Sequence, residues 1–353
     1  MTLILKLIVF VLGLLLVMQT IASAIQTFVL PRGATDFITG AVFRFIRWCF
    51  DLLLKPTKNY ATRDRFMALY APVSVLVLLP VWLILVSIGY TGMFWATGTD
   101  TLLGAFTISG SSLLTLGFAK GETVFQTLLA FSEATIGLIM VALLIAYLPT
   151  MYNAFSAREV AVNLLAVRAG SPPSAPEMLL RYHRIGQLEQ INETWKTWEK
   201  WFAELEESHT SLAPLVFFRS PSPDQSWVTA SGAVLDAAAL YLSSLDLPPS
   251  PDAMLCIRAG YLSLRRIADL FRISYEPAPI YPISPISISR NEFEIALEQF
   301  KDQGIPVKAN TDQAWNDFAG WRVNYDSVLM NLCELTMAPL SSWSSNQTLD
   351  DPS

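Results

Sequence analysis

The stretch of this chain with the most specific chemistry is the polar, glycine-containing segment from Ser111 to Gly121. It lies between two strongly apolar segments, residues 67–91 and 123–148. Backbone that is neither helix nor closed barrel is tolerated at membrane depth only where protein buries it or where it lines a water-filled cavity. A short polar segment between two apolar ones therefore predicts a re-entrant loop that lines an ion pathway.

The centre of this segment is a Thr-x-Gly-aromatic turn, followed by Lys120. It resembles the filter of potassium-channel-like tetrameric cation channels, which reads Thr-Val-Gly-Tyr-Gly and is usually followed by Asp. The resemblance covers residues 67–152 and implies an outer helix, a re-entrant pore helix, a filter loop and an inner helix. The residues that fall on the five filter positions are Thr115, Leu116, Gly117, Phe118 and Ala119.

The resemblance implies that the filter carbonyls and the Thr115 hydroxyl replace the water shell of a monovalent cation such as K⁺. It also implies a homotetramer, because one chain supplies one pore loop and a ring of ligands needs several. Ala119 and Lys120 depart from the family, which has a conformationally permissive glycine and an acid there. These departures favour conduction without strict potassium selectivity. They also keep open a non-conducting, membrane-anchored scaffold or sensor with a degenerate pore loop.

Glu133 is the second position of chemical interest. A carboxylate inside an apolar span is costly and by default a functional hypothesis. We expect it to hydrogen-bond the back of the pore helix and hold the filter in shape, with direct contact to the ion as the alternative. Among its candidate partners we assign filter support to Ser111 and Ser112. The polar residues available on the pore helix are Thr107, Ser109, Ser111 and Ser112.

Three positions bear on the helices around the loop. Thr99 or Asp100 can cap the pore helix, whose carbonyl end would then stabilise a cation. Gly137 is a candidate gating hinge, or a small residue that allows close helix packing. Pro149 lacks a backbone donor and predicts a kink or an end of the inner helix near the cytoplasmic mouth.

Composition divides the chain into a membrane half and a soluble half. The chain of 353 residues is 52% hydrophobic and only 15% charged. Residues 1–152 carry a net charge of +3 and residues 153–353 a net charge of −9. An acidic soluble domain lacks the basic patches that phosphate binding needs, so nucleic acid is excluded as a partner.

The orientation follows from the basic residues. Residues 31–65 contain seven Lys and Arg, whereas residues 92–122 contain only Lys120. The positive-inside rule therefore predicts a multi-pass protein of an inner or plasma membrane, with its N-terminus outside and its C-terminal domain cytoplasmic. Residues 1–30 are predicted to be a transmembrane anchor. The alternative is a signal peptide cleaved after Ala22-Ser23-Ala24.

Residues 31–66 form the predicted basic cytoplasmic loop. Between Phe37 and Leu54 the polar residues Arg44, Arg47 and Asp51 share one face of a helix. This pattern is typical of a helix that lies in the lipid interface. A plain connecting helix packed on the spans fits the pattern nearly as well.

Residues 153–353 are predicted to be a cytoplasmic helical domain. The stretch 275–289 is rich in proline and cannot be helical, and the tail after Trp343 is polar and predicted to be disordered. The tryptophan-rich stripe from Trp195 to Phe202 is interpreted as core, with a membrane contact or ligand pocket as alternatives. Apolar spacing places helices at about 176–208, 229–245, 252–273, 290–303 and 312–337.

No constellation in the chain predicts catalysis, a metal site or a cofactor. Cys49, Cys256 and Cys333 are widely spaced and are interpreted as small, mostly buried thiols. The acidic run ending at His209 is interpreted as a solvated helix end in preference to a metal cluster. The fold class expected is an all-α membrane protein with three transmembrane helices and a cytoplasmic helical domain. The partners expected are the bilayer, further copies of the chain and an unknown cytoplasmic ligand.

Overall fold

A computed structural model describes residues 3–30, 36–55, 57 and 59–339. All regular elements in these residues are helices, as the sequence predicts. The chain divides into two compact units, Met1–Asn153 and Ala154–Ser353. The predicted disordered tail lies outside the described residues, and so do Arg32 and Lys58 of the basic loop.

The first unit is built from long apolar helices. Three segments are long and apolar enough to cross a membrane: Leu3–Phe28, Thr62–Ala96 and Val124–Ala169. This confirms the three predicted spans as candidates by length and composition. The helices that begin in this unit are α1 (Leu3–Phe28), α2 (Phe37–Leu54), α3 (Tyr60–Met67), α4 (Tyr70–Ala96), α5 (Leu102–Leu113) and α6 (Val124–Ala169).

Helices α1 and α4 cross closely because each has a glycine at the contact. A Cβ atom on Gly13 would lie 2.5 Å from the carbonyl oxygen of Gly89, and one on Gly89 would lie 2.8 Å from that of Gly13. Small residues of this kind let helix backbones approach within a bilayer. Further along the contact, the Trp82 indole donates to the Ser23 hydroxyl at 3.0 Å. The N-terminal helix therefore packs against α4 between Gly13 and Ser23.

Helix α2 packs against α4. The Asp36 carboxylate caps its first turn by accepting from the amides of Ile38 and Thr39. The ring of Phe43 is buried and meets the ring of Tyr70 edge to face at 6.0 Å. This is the packing that the connecting-helix interpretation requires.

Helix α6 continues through Pro149 for twenty further residues, up to Ala169. The helix therefore does not end at Pro149, and the alternative of a kink at this residue stays a prediction. Proline removes one backbone hydrogen bond, at a cost of about 3 kcal/mol. Tyr147 and Met151, which flank it, are both buried. Their packing and the intact turns on either side offset that cost.

The second unit is a helical domain around α9, most of which is buried. Its helices are the end of α6, α7 (Ala175–Arg184), α8 (Asn192–Ser211), α9 (Trp227–Ser244), α10 (Pro251–Leu270), α11 (Arg290–Asp302), α12 (Thr311–Arg322) and α13 (Asp326–Thr336), with short 3₁₀ turns at Leu188–Gln190 and Ala213–Phe217. The proline-rich stretch 275–289 contains no helix, as predicted.

Two helices predicted as continuous are each broken in two. The first break follows α7, where Gly186 adopts a positive φ of 67° that other residues rarely take. Its amide and that of Gln187 bond back to the end of α7, which closes that helix. The second break lies at Tyr325, whose ψ of −9° departs from helical values. There the phenol is drawn into the core to donate to Asp236 at 2.8 Å.

The tryptophan-rich stripe of α8 lies in the core of the second unit, as the core interpretation predicts. Trp195 and Phe202 are fully buried, and Trp198 and Trp201 are nearly so. Two of the cysteines, Cys256 and Cys333, are also buried there, and burial raises the pKa of the Cys333 thiol to about 12.

Candidate functional site

Helix α5 leads into the Thr-x-Gly turn. The Thr101 hydroxyl caps it by accepting from the Gly104 amide at 3.0 Å. The cap predicted at Thr99 or Asp100 is therefore wrong, because Thr101 is the residue with the extended backbone that a cap requires. Twelve residues rise about 18 Å, which is short of the ~30 Å hydrocarbon core.

Ser111 organises the loop that follows α5. Its carbonyl accepts from the amides of Leu116 at 2.8 Å and Gly117 at 3.2 Å. Its hydroxyl accepts from the amide of Ala119 at 3.0 Å. The Ser112 hydroxyl instead donates to the Ile108 carbonyl in its own helix at 2.9 Å. Of the two serines assigned to filter support, the structure brings Ser111 to the loop and keeps Ser112 in α5.

The carbonyls of the same loop differ from its amides. Within the part of the chain that the structure describes, the carbonyl oxygens of residues 115–118 accept no hydrogen bond. The carbonyl of Ala119 differs, because it accepts from the Ser111 hydroxyl at 3.2 Å. The loop thus turns the amides of Thr115, Leu116, Gly117 and Ala119 back onto α5 and leaves four consecutive carbonyls for another partner.

Two residues of the loop have a left-handed backbone. Gly117 has a φ of 72° and Thr115 a φ of 54°. A β-branched residue in this region is an outlier that costs on the order of 1–3 kcal/mol, and such strain concentrates at functional sites. Ala119, where the family has its second glycine, does not share this conformation. The strain at Thr115 could not be read from the sequence, because threonine gives no signal for a positive φ.

A polar junction joins α4, α5 and α6 behind the loop. The Ser109 hydroxyl lies 2.5 Å from Oε1 of Glu133 and 3.0 Å from the hydroxyl of Ser87. All three side chains are buried, and Glu133 and Ser109 completely so. Glu133 therefore contacts the back of α5, through Ser109 and not through Ser111 or Ser112. We call these residues the Ser87–Ser109–Glu133 junction.

Gly137 lies one turn after Glu133, against the C-terminal end of α5. A Cβ atom at this position would lie 2.5 Å from the carbonyl oxygen of Leu113. The glycine thus permits a helix contact that any other residue would push apart. The geometry supports its role in close packing, and a hinge role remains a prediction.

Gln126 ties the outgoing end of the loop to the end of α4. Its side chain is buried, accepts from the Glu122 amide at 2.9 Å and donates to the hydroxyls of Thr97 and Thr99. Sequence reasoning missed this residue. An uncharged amide at the start of an apolar helix was the available signal.

The tip of the loop is apolar and exposed in the single chain. Leu114, Leu116 and Phe118 are 56%, 61% and 69% exposed, and Lys120 beyond them is also exposed. Exposed apolar side chains in a cluster mark a surface that another body covers.

The second unit contains a buried cluster around His209. Arg158 donates to Nε2 of His209 at 3.2 Å and to the carbonyls of Leu215 and Phe218. Nδ1 of His209 donates to the Leu205 carbonyl at 2.9 Å. Burial and then the charge of Arg158 hold the pKa of His209 well below its usual value. His209 is therefore a neutral core residue and not part of a solvated run.

Comparisons of the chain with models of protein families, with curated proteins and with solved structures gave no match. The functional argument therefore depends on the geometry of the loop and its supports.

Proposed function

We propose that this protein conducts monovalent cations passively through a pore formed by four copies of the chain. Potassium or a non-selective mixture of monovalent cations is the cargo. The observation that carries the proposal is the set of four carbonyls at residues 115–118, which accept no hydrogen bond from the residues that the structure describes. Each loop contributes these oxygens to rings around a common axis, where they replace the water shell of the ion.

The reasoning rests on the hydrogen bonds that a backbone requires. Buried backbone carbonyls in native proteins are nearly always paired, and inside a bilayer an unpaired one costs several kcal/mol. Four consecutive carbonyls between two apolar helices must therefore meet water, an ion or both. Three amides of the same loop, those of Leu116, Gly117 and Ala119, are already used by Ser111, so they do not compete for the oxygens.

Two further observations support an assembly of several chains. The exposed tips of Leu116 and Phe118 are covered when neighbouring copies surround the axis. The strained backbone of Thr115 is the kind of conformation that persists where surrounding structure holds a site ready for its ligand. The carbonyl end of α5 adds a partial negative charge near the loop, which favours a cation.

In this proposal the protein lies in an inner or plasma membrane, with its N-terminus outside and its second unit in the cytoplasm. A cytoplasmic ligand that binds two states of the second unit with different affinity would shift α6 between closed and open positions.

One observation favours a second candidate function. The Ala119 carbonyl is used inside the chain by Ser111, so the outermost ring of a five-ring filter would be missing. A loop reduced in this way also fits a membrane-anchored scaffold or sensor that does not conduct.

Cation flux into liposomes that contain the purified protein separates the two. We expect flux under a potassium or a sodium gradient, and its loss in Gly117→Ala, because a Cβ at a φ of 72° rearranges the carbonyls. The matched control is Gly98→Ala, which also has a positive φ and open space around it but lies outside the loop. Flux that survives Gly117→Ala contradicts the filter assignment. An absence of flux in the wild type favours the scaffold.

A further inference from the structure

The part of α6 in the second unit has an apolar face that nothing in the described chain covers. Val160, Leu164 and Val167 are 56%, 50% and 74% exposed, and Ala157 on the same face is also exposed. We call these four residues the α6 seam. Their separations are three, four and three residues, which is the spacing of a and d positions in a heptad.

The opposite side of α6 already packs on the core of the second unit. Arg158, Val162, Leu165 and Ala169 are buried there, and they fall on b and f positions of the same heptad. Arg158 fixes this side through its hydrogen bonds to His209 and to two carbonyls. The seam is therefore held facing away from the domain that carries it.

The seam lies beyond the reach of the hydrocarbon core. Ala157 follows Val124 by 33 residues, which corresponds to about 50 Å of helix, whereas the core is about 30 Å thick. Lipid tails therefore do not cover the seam. It also contains no acidic or basic residue, so it does not match a charged lipid headgroup or a charged peptide.

We propose that the α6 seam is a parallel coiled-coil interface with further copies of this chain. A heptad seam is self-complementary, because each a or d side chain inserts between residues of an identical helix. The residue types indicate more than two strands. Leu164 occupies an a position, and the β-branched residues Val160 and Val167 occupy d positions. Leucine at a with isoleucine at d shifts coiled coils toward trimers and tetramers, and here the β-branched residue at d is valine.

This inference rests on the proposed function for its stoichiometry of four and for its parallel orientation, since all copies then cross the membrane in the same direction. It adds a specific role for the last turns of α6. These turns would hold the inner helices together at one end while the second units sit on the outer side of the bundle. A ligand acting on those units would then act directly on the bundle.

Disulfide cross-linking in membranes tests the interface. The variant is Leu164→Cys, and the matched control is Leu255→Cys, an equally exposed leucine (48%) on α10 of the same unit. Both are made in a Cys49→Ser background, because the other two cysteines are buried. A disulfide requires Cβ atoms about 4 Å apart, so it forms only where equivalent positions of two copies approach closely, as facing a positions of a parallel coiled coil do. We expect mostly cross-linked dimer for Leu164→Cys and mostly monomer for Leu255→Cys on a non-reducing gel.

Val160→Cys, at a d position, provides a second variant and is expected to behave like Leu164→Cys. Equal cross-linking of seam and control variants overturns the interface. Cation flux is measured on the same vesicles, so the two proposals are tested separately. Flux without seam cross-linking refutes the interface and leaves conduction standing. Seam cross-linking without flux in the wild type supports the interface and refutes conduction.

Discussion

Gly137→Ala tests whether the contact between α5 and α6 holds the loop in the shape that the proposed conduction requires. The new Cβ would lie 2.5 Å from the Leu113 carbonyl oxygen, whereas an ordinary contact is at least 3.4 Å. The helices must therefore separate by about 0.9 Å at this point. Overpacking of this kind costs about 1–3 kcal/mol.

The separation also affects the Ser87–Ser109–Glu133 junction, which lies one turn away on α6. Moving Glu133 with its helix would lengthen the Ser109–Glu133 bond from 2.5 Å to about 3.4 Å, beyond the range of a good hydrogen bond. This adds about 0.5–1.5 kcal/mol, while alanine returns about 0.5–1 kcal/mol through its better helix propensity. The net destabilisation expected is about 1–3 kcal/mol, or a factor of 5 and upward in population.

The assay is cation flux per mole of reconstituted protein, with thermal unfolding followed in parallel. We expect flux to fall, because the loop loses its fixed contact with α6, and the unfolding temperature to fall by a few degrees. Gly40→Ala on α2 is the control, because a Cβ there meets nothing within 4 Å, and it should leave both quantities unchanged or slightly raised. Unchanged flux and stability in Gly137→Ala would refute the packing argument.

Three further changes test other parts of the molecule. Glu133→Leu removes the acceptor for Ser109 and should destabilise the protein by about 1–3 kcal/mol, whereas Glu133→Gln should retain most of the stability in thermal unfolding. Because the pKa of His209 is depressed on folding, the unfolded chain binds more protons below pH 6.5. The free energy of unfolding should then fall by up to about 1.4 kcal/mol per pH unit as pH drops. His209→Gln keeps an acceptor for Arg158 and should remove this part of the pH dependence of the free energy of unfolding, measured by denaturant titrations at several pH values. An unchanged pH dependence contradicts the prediction. Arg322→Met leaves Asp236 buried without its ion pair and should cost about 3–5 kcal/mol in chemical denaturation, a cost that a near-neutral result would disprove.

Local patterns in the sequence were sufficient to locate the helices. Apolar runs identified the three candidate spans, and proline clusters identified the non-helical stretch 275–289. These signals work because the hydrophobic period and the missing donor of proline act over a few residues. The same local signals failed at Gly186 and Tyr325, where the chain leaves the helix because of a turn and a distant buried carboxylate.

The loop shows the same contrast between features that local sequence predicts and features that contacts in the folded chain decide. The sequence alone locates a Thr-x-Gly turn between two apolar spans. It also locates a carboxylate, Glu133, inside the span that follows the turn. It does not say that Ser111 receives the amides of the loop, that Ser109 and not Ser111 or Ser112 meets Glu133, or that Thr115 adopts a positive φ.

The sequence by itself determined an all-helical chain with three apolar helices, an acidic C-terminal half and one polar loop at a specific place. The tertiary structure alone decided which hydroxyls form hydrogen bonds with each other or with Glu133, which glycines contact a neighbouring helix and which face of α6 stays exposed. The physical reason is that amphipathic spacing fixes where a helix lies along the chain. Its rotation and depth against its neighbours depend on close contacts between residues far apart in sequence.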